Sequence, residues 1–238
     1  QQMFDRHRYF TVQYNDVITS VGPRRVATVT VTNPPVNALN ERALDELTVV
    51  VEHLSRRDDV AAVVFTGQGT ASFVAGADIR QLLEDIHAID EARALPNNAH
   101  LAFRKIERMN KPAIAAIQGG ALGGGMEFAL ACHYRIAEPT ARFGQPEIRL
   151  RLLPGYGGTQ RLPRLLASRR GDDGLRDALD LILGGRNVGG SEALALGVVD
   201  ELAGASSDVV SAAHARIREF LSTGAGSTLG RALKDRHD

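Results

Sequence analysis

The sequence predicts an α/β fold, and three observations carry that prediction. "VAAVVFTG" (60–67) and "PAIAAIQG" (112–119) are continuous apolar runs ending in glycine, the pattern of strands covered on both faces. Between 41 and 56, Leu44, Leu47, Val51 and Leu54 make a stripe of helical period. Strand-like and helix-like segments then alternate through most of the 238 residues.

Taken in order, "YFTVQY" (9–14) and "RRVATVTV" (24–31) read as strands with β-branched alternation, joined by a turn around Gly22 and Pro23. "NPPVNALN" (33–40) is not strand interior, because its two prolines remove ladder donors. Asn40 is placed to cap the helix that follows. After the 60–67 strand, "QGTASFVAGAD" reads as a loop leading to a short helix at 79–86, and a second helix spans about 98–109. The 112–119 strand runs into a glycine-rich stretch. "YRIAE" and "ARFG" read as short strands, then "QPEIRL", and "LPGYGGTQRLPRLLA" (153–167) is partly helical. "LRDALDLILGG" (175–185) stops on a glycine pair. In "SEALALGVVDEL", Ser191 is the expected N-cap and "VVDEL" the expected strand, and 206–222 forms a terminal amphipathic helix. The "RGDDG" stretch near 170–174 marks a boundary, with a core over 1–172 and a helical region over 173–238.

Composition limits the class of function. The 28 basic side chains balance 28 acidic ones, which argues against a nucleic-acid footprint. One cysteine, Cys132, allows no intrachain disulfide and fits a reducing compartment. No run of about 18 apolar residues occurs, so the reading is a cytoplasmic protein with no membrane partner. The seven histidines show no paired ligand spacing, so no metal is expected.

The chemistry concentrates in "GGALGGGMEFALAC" (119–132). A strand entering a helix through glycines gathers unsatisfied backbone N–H groups at the helix start, where partial positive charge favours an anion. A phosphate-cradling loop would need a following Lys, a dinucleotide fingerprint would need G-x-G-x-x-G, and a serine elbow G-x-S-x-G; none is present. What survives is an oxyanion hole with a donor from Gly124. Close packing of helix on sheet through small residues is the alternative.

Glu127 adds weight to the first reading, since a carboxylate within the core-like "MEFALA" needs a partner or a task. Glu147 in "FGQPEIRL" is a second acid in partly apolar surroundings, or a helix-start acid facing solvent. Two carboxylates around one water can divide the work, one taking its proton and the other supplying a proton elsewhere. "FVAGADI" (73–79) offers a second donor at Ala77 N–H, or an ordinary loop with Asp78 as N-cap.

"NPPVNALN", "FVAGADI", "KPAIAAIQGGALGGGMEFALAC", "RFGQPEI" and "LLPGYGGTQRLPRLL" occur in the order and spacing of the enoyl-CoA hydratase/isomerase, or crotonase, superfamily, which the chain resembles from about Phe10 to Glu219. The resemblance implies a crotonase-type spiral of ββα units with a C-terminal helical region that mediates homotrimers or dimers of trimers. It implies an acyl-CoA substrate whose carbonyl oxygen accepts from the N–H groups of Ala77 and Gly124. Coenzyme A enters as part of the substrate and no separate cofactor is implied. Glu127 matches the acid that activates water, and Glu147 the acid that delivers a proton to the α-carbon. Ala75, Ala77, Asp78, Ile79 and Arg80 match the stretch that wraps coenzyme A, and Val36 and Ala38 lie in a second contacting turn.

Hydration of a 2-enoyl-CoA is therefore the expected reaction, because both acids are present. An enoyl-CoA isomerase, a hydratase-lyase for aromatic or branched acyl groups, and a non-catalytic binding protein are the alternatives.

Overall fold

The computed structural model describes residues 7–76, 89–204 and 208–223, with backbone alone for 89–95. The N-terminal hairpin pairs β1 (Phe10–Thr19) with β2 (Gly22–Val31), antiparallel. Thr19 stands opposite Gly22, so the chain turns at Ser20 and Val21, and the expected turn residues Gly22 and Pro23 belong to β2. Helix α1 (Glu41–Arg56) begins and ends where expected, and the Asn40 side chain accepts the Ala43 N–H at 2.8 Å. Such a cap contributes about 1 kcal/mol. Its far end is closed by Lys111, whose buried ammonium donates to the carbonyls of Leu54, Arg57 and Val60.

From there the chain alternates between two sheets. Strand β3 (Val60–Gly67) joins the first and β4 (Ser72–Val74) the second. The β4 segment was expected as loop; three residues give no periodicity to read, yet Ser72 and Val74 pair with the next strand of the second sheet. The expected short helix at 79–86 lies outside the described residues. Helix α2 (Ile89–Glu107) starts earlier than expected and carries Pro96 within it.

The next unit repeats the plan with β5 (Ala113–Ile117), β6 (Gly120–Leu122) and α3 (Gly124–Ala131). Then follow β7 (Tyr134–Ala137), β8 (Arg142–Gly144), a 3₁₀ helix (Pro146–Leu150) and α4 (Gly158–Gly184), which kinks at Gly171. Strand β9 (Asn187–Gly189), α5 (Gly190–Leu196), β10 (Glu201–Leu202) and α6 (Val209–Thr223) complete the chain. The N-cap of α5 is Gly189 rather than Ser191. Helix α5 starts early because Gly190 packs on the Glu138 and Pro139 carbonyls, each 2.8 Å from where a Cβ would sit. Of "VVDEL" only the last two residues pair, with Ile136 and Ala137.

The first sheet runs β1-β2-β3-β5-β7-β10, the second β4-β6-β8-β9. Beyond the hairpin every neighbour in the first sheet is parallel. Strand β3 shows why its sequence has no polar alternation. Val60, Val63 and Phe65 join the main core with α1, while Ala62 and Val64 face Ala213 and Ile217 of α6. Both faces are covered, as a parallel sheet requires.

Candidate active site

Helix α3 is short and every residue in it is buried. Its first residue, Gly124, follows an N-cap, Gly123, at φ +54°, a region that costs a residue with a Cβ dearly. A Cβ there would also sit 2.9 Å from Glu147 Oε1. Gly125 has a different task, since a Cβ on it would collide with the Val74 carbonyl. The glycine run thus serves both readings, close packing at Gly125 and room for an acid at Gly123.

Gly76, the last described residue of the β4 exit, faces this helix start. A Cβ on it would lie 3.9 Å from the Gly124 nitrogen. The turn at 33–39 is pinned to the same exit. Val36 O accepts from Ala75 N at 3.0 Å and from Ser72 Oγ at 2.7 Å, and Leu39 N donates to Gly76 O at 2.9 Å. Val36, Ala38 and Ala75 therefore gather beside the start of α3. Ala77, Asp78, Ile79 and Arg80 lie outside the described residues.

Glu127 is 1% exposed. Its Oε1 accepts the backbone N–H of Tyr156 at 2.8 Å and of Gly158 at 2.6 Å, lengths of charge-assisted bonds. Its pKa is raised to about 7, chiefly by burial with the Glu147 charge adding to it, against the opposing pull of the Gly158 and Tyr156 N–H groups and Arg161. Glu147 opens the 3₁₀ helix and is half-buried, with its pKa also raised by burial. The structure thus brings Glu127, Glu147 and Gly124 to one end of α3. Glu147 is a helix-start acid, as the alternative had it, but it is half-buried rather than fully exposed.

Three residues that pattern reading passed over complete the surroundings. Gln145 is fully buried. With its amide nitrogen toward Glu147 it donates to both carboxylate oxygens, at 3.1 and 3.2 Å. Its terminal amide also lies 2.6 Å from where a Cβ on Gly158 would sit, so it stands between the two acids. A polar residue before Pro146 reads as loop, and only the apolar neighbour Phe143 hints at burial. Tyr156 is 4% exposed, and among the described residues its hydroxyl finds no hydrogen-bond partner. Arg161 pairs with Glu107 through two bonds, 2.5 and 3.1 Å, and donates to the Tyr156 carbonyl at 2.6 Å. Among the described residues no group of three His, Cys, Asp or Glu could hold a metal ion, and no helix is long and apolar enough to cross a membrane.

A short helix entered through glycines thus carries one buried acid, and a second acid stands across its start. A family profile described as enoyl-CoA hydratase/isomerase matches residues 22–236, and the chain belongs to that family. The chain is 44% identical over 179 residues to a short-chain-enoyl-CoA hydratase of Clostridium acetobutylicum, which covers 75% of this chain and 65% of that protein. It is 40% identical over 195 residues to a probable enoyl-CoA hydratase of Bacillus subtilis, covering 82% of this chain and 72% of the relative. The structure of Pseudomonas aeruginosa DspI superposes with a TM-score of 0.77 at 34% identity, over 92% of this chain and 87% of that one. The match thus spans just under two thirds of the Clostridium protein's length. The succession β1β2α1, β3β4α2, β5β6α3, β7β8α4 is the spiral of ββα units expected of the crotonase fold, with helices following at the C-terminal end.

Proposed function

We propose that the chain is an enoyl-CoA hydratase, a hydro-lyase that adds water across the 2,3-double bond of an acyl-CoA thioester. The observation that carries this reading is Glu127, an acid within an otherwise apolar helix. One of its oxygens is fixed by two backbone donors, which leaves the other to face a water.

In this reading Glu127 takes a proton from water as the oxygen bonds to C3. The double-bond electrons move toward the thioester, and negative charge grows on its carbonyl oxygen. The N–H groups of Ala77 and Gly124 receive that charge. Loss of one such donor typically costs about 10²–10³ in rate. Glu147 delivers the proton to C2, which balances the addition. Two raised carboxyl pKa values suit this division, because one acid must be ionised while the other keeps its proton.

Val36, Ala38, Ala75, Ala77, Asp78, Ile79, Arg80 and Gly124 form the coenzyme A contact in this reading, with no separate cofactor. We assign the region from 173 onward to assembly into trimers or pairs of trimers. Leu175, Leu179 and Leu183 support this, for they follow one another every four residues on α4 and are 42%, 44% and 58% exposed. The reading places the reaction in the cytoplasm.

The test is hydration of crotonyl-CoA, followed by loss of the conjugated thioester's ultraviolet absorbance, beside a 3-enoyl-CoA assayed for double-bond migration. Hydration well above migration is expected. Migration without hydration would make the chain an isomerase, and neither activity across a series of acyl lengths would overturn an enzymatic role on these substrates.

A further inference from the structure

Glu127 is held by a turn, and something must hold the turn. Residues 156–158 supply both of its backbone donors. Between them, Arg161 Nη1 donates at 2.6 Å to the Tyr156 carbonyl, on the Tyr156–Gly157 peptide that links the two donating peptides. The turn wraps so closely that a Cβ on Gly157 would strike this guanidinium. The remaining face of Arg161 is locked to Glu107, Nε to Oε1 at 2.5 Å and Nη2 to Oε2 at 3.1 Å, with side chains 10% and 11% exposed. The guanidinium also lies 5.7 Å from the centre of the Phe103 ring. A planar, forked donor is suited to serving a carboxylate and a carbonyl at once. Glu107 belongs to α2 and Arg161 to α4, so the pair ties two helices to one peptide.

We infer that Arg161 and Glu107 are positioning residues for Glu127, acting through the Tyr156 peptide. Arg161 fixes the direction of the two N–H groups that hold the carboxylate, and it places a cation behind it. Glu107 fixes Arg161 and offsets its charge. This rests on the hydratase reading for its kinetic consequence, but its structural claim concerns the titration of Glu127 itself.

The charges that bear on Glu127 are Glu147 from the 3₁₀ helix and Arg161 from α4, with the Tyr156 hydroxyl nearby. Behind Arg161 stand Glu107, His100 and Arg104 of α2. Arg135, His133 and Arg164 line the cavity that Glu107 and Arg161 share. Within that set, removing the Arg161 cation makes ionisation of Glu127 harder. Removing the Glu107 charge leaves Arg161 less compensated and makes ionisation easier.

The experiment compares Arg161→Gln, Arg161→Lys and Glu107→Gln with the parent chain. Each is checked for folding by thermal melting and assayed with crotonyl-CoA across pH. Arg161→Gln should lower kcat ten- to a hundredfold with KM within threefold, and move the acid limb of the kcat profile to higher pH. Glu107→Gln should move that limb to lower pH. Arg161→Lys should keep the limb near its parent position while kcat stays reduced, because the charge remains and the fork is lost. Limbs that stay put, or shift the same way in both neutralising variants, would overturn the inference. So would a KM rise with kcat unchanged. If Arg161→Gln does not fold, the remaining pair decides: Arg161→Lys with an unmoved limb and reduced kcat, Glu107→Gln with a limb at lower pH. If the parent hydrates nothing, the function reading fails separately. Infrared titration of the Glu127 carboxyl band, identified by its loss in Glu127→Gln, then reads the same opposite shifts without turnover.

Discussion

The Oε1 atom of Glu127 and the backbone nitrogen of Gly158 stand 2.6 Å apart, across a separation of 31 residues in the chain. That bond joins α3 to the start of α4 at the point where the acid must be aimed. The Tyr156 N–H reaches the same oxygen at 2.8 Å. One oxygen of the acid is thus held by two donors; in the hydratase reading the other takes the proton of water, and the first prediction follows from that asymmetry.

Glu127→Gln keeps the acceptor for both N–H groups and removes the base. We expect kcat for crotonyl-CoA to fall by about 10³-fold, within the usual range for general acid–base groups. Calorimetric affinity for a non-reactive acyl-CoA should change less than threefold. Unaltered turnover would remove Glu127 from the mechanism.

Glu147→Gln should also lower kcat, by about 10²–10⁴-fold. It differs from the first variant in its proton chemistry. Loss of the C2 proton donor should slow exchange of the α-hydrogen of the 3-hydroxyacyl product with deuterated solvent, measurable by NMR. Exchange at the parent rate would assign the α-proton to another group.

Gly158→Ala places a methyl 3.0 Å from Glu127 Oε1 and Cγ, and 2.6 Å from the Gln145 terminal amide. All are buried, so the acid or the amide must shift. A displacement near 1 Å costs about 10²-fold in a positioned site. We expect a loss in kcat of that order with the melting temperature lowered by a few degrees.

The raised pKa of Glu127 has a consequence for stability. Its folded value, about 7, lies above the ordinary glutamate value of 4.5. Between those values the folded state holds the proton that the unfolded chain releases, so stability declines as pH rises through the window. At pH 8 the buried charge costs roughly 3 kcal/mol, at 1.36 kcal/mol per unit. Glu127→Gln should therefore be more stable than the parent at pH 8, with the advantage shrinking toward pH 4.5. Melting curves at four pH values measure this, and an advantage that does not grow with pH would contradict the burial argument.

Leu179→Asp places a charge in the middle of the exposed α4 stripe. If that stripe joins copies of the chain, sedimentation should show a smaller particle than the parent with the melting of α3 and the sheet largely retained. A parent that sediments as a monomer would end the assembly reading.

Much of this was legible beforehand, and the reason differs by element. Strand β3 and helix α1 were legible at both ends because burial on two faces and on one stripe leave unmistakable patterns, and Asn40 marks the start of α1 by its own chemistry. Glu127 was legible because charge inside an apolar helix is costly. Strands β4 and β6 were not, since three residues beside glycines show no alternation. Gln145 and Arg161 were missed for a related reason. Each is polar in a segment that reads as loop or solvent-facing helix; Arg161 is held by Glu107, 54 residues away, and Gln145 turns its amide to Glu147 two residues on while packing against distant Gly158. Ser191 was preferred as a cap on side-chain chemistry, whereas a backbone contact of Gly190 set the start of α5.

Phe128, next to Glu127, lies 5.3–5.4 Å from the ring centres of Phe65, Phe73 and Phe103, which come from β3, β4 and α2. A helix clamped by aromatic neighbours on three elements has no freedom to slide along its axis or roll. On the hydratase reading, the scaffold under the acid is therefore a poor place to seek altered chain-length preference. Engineering for bulkier acyl groups belongs on surfaces that can yield without disturbing those rings, where a wider cavity can be bought while the proton-handling geometry stays as it is.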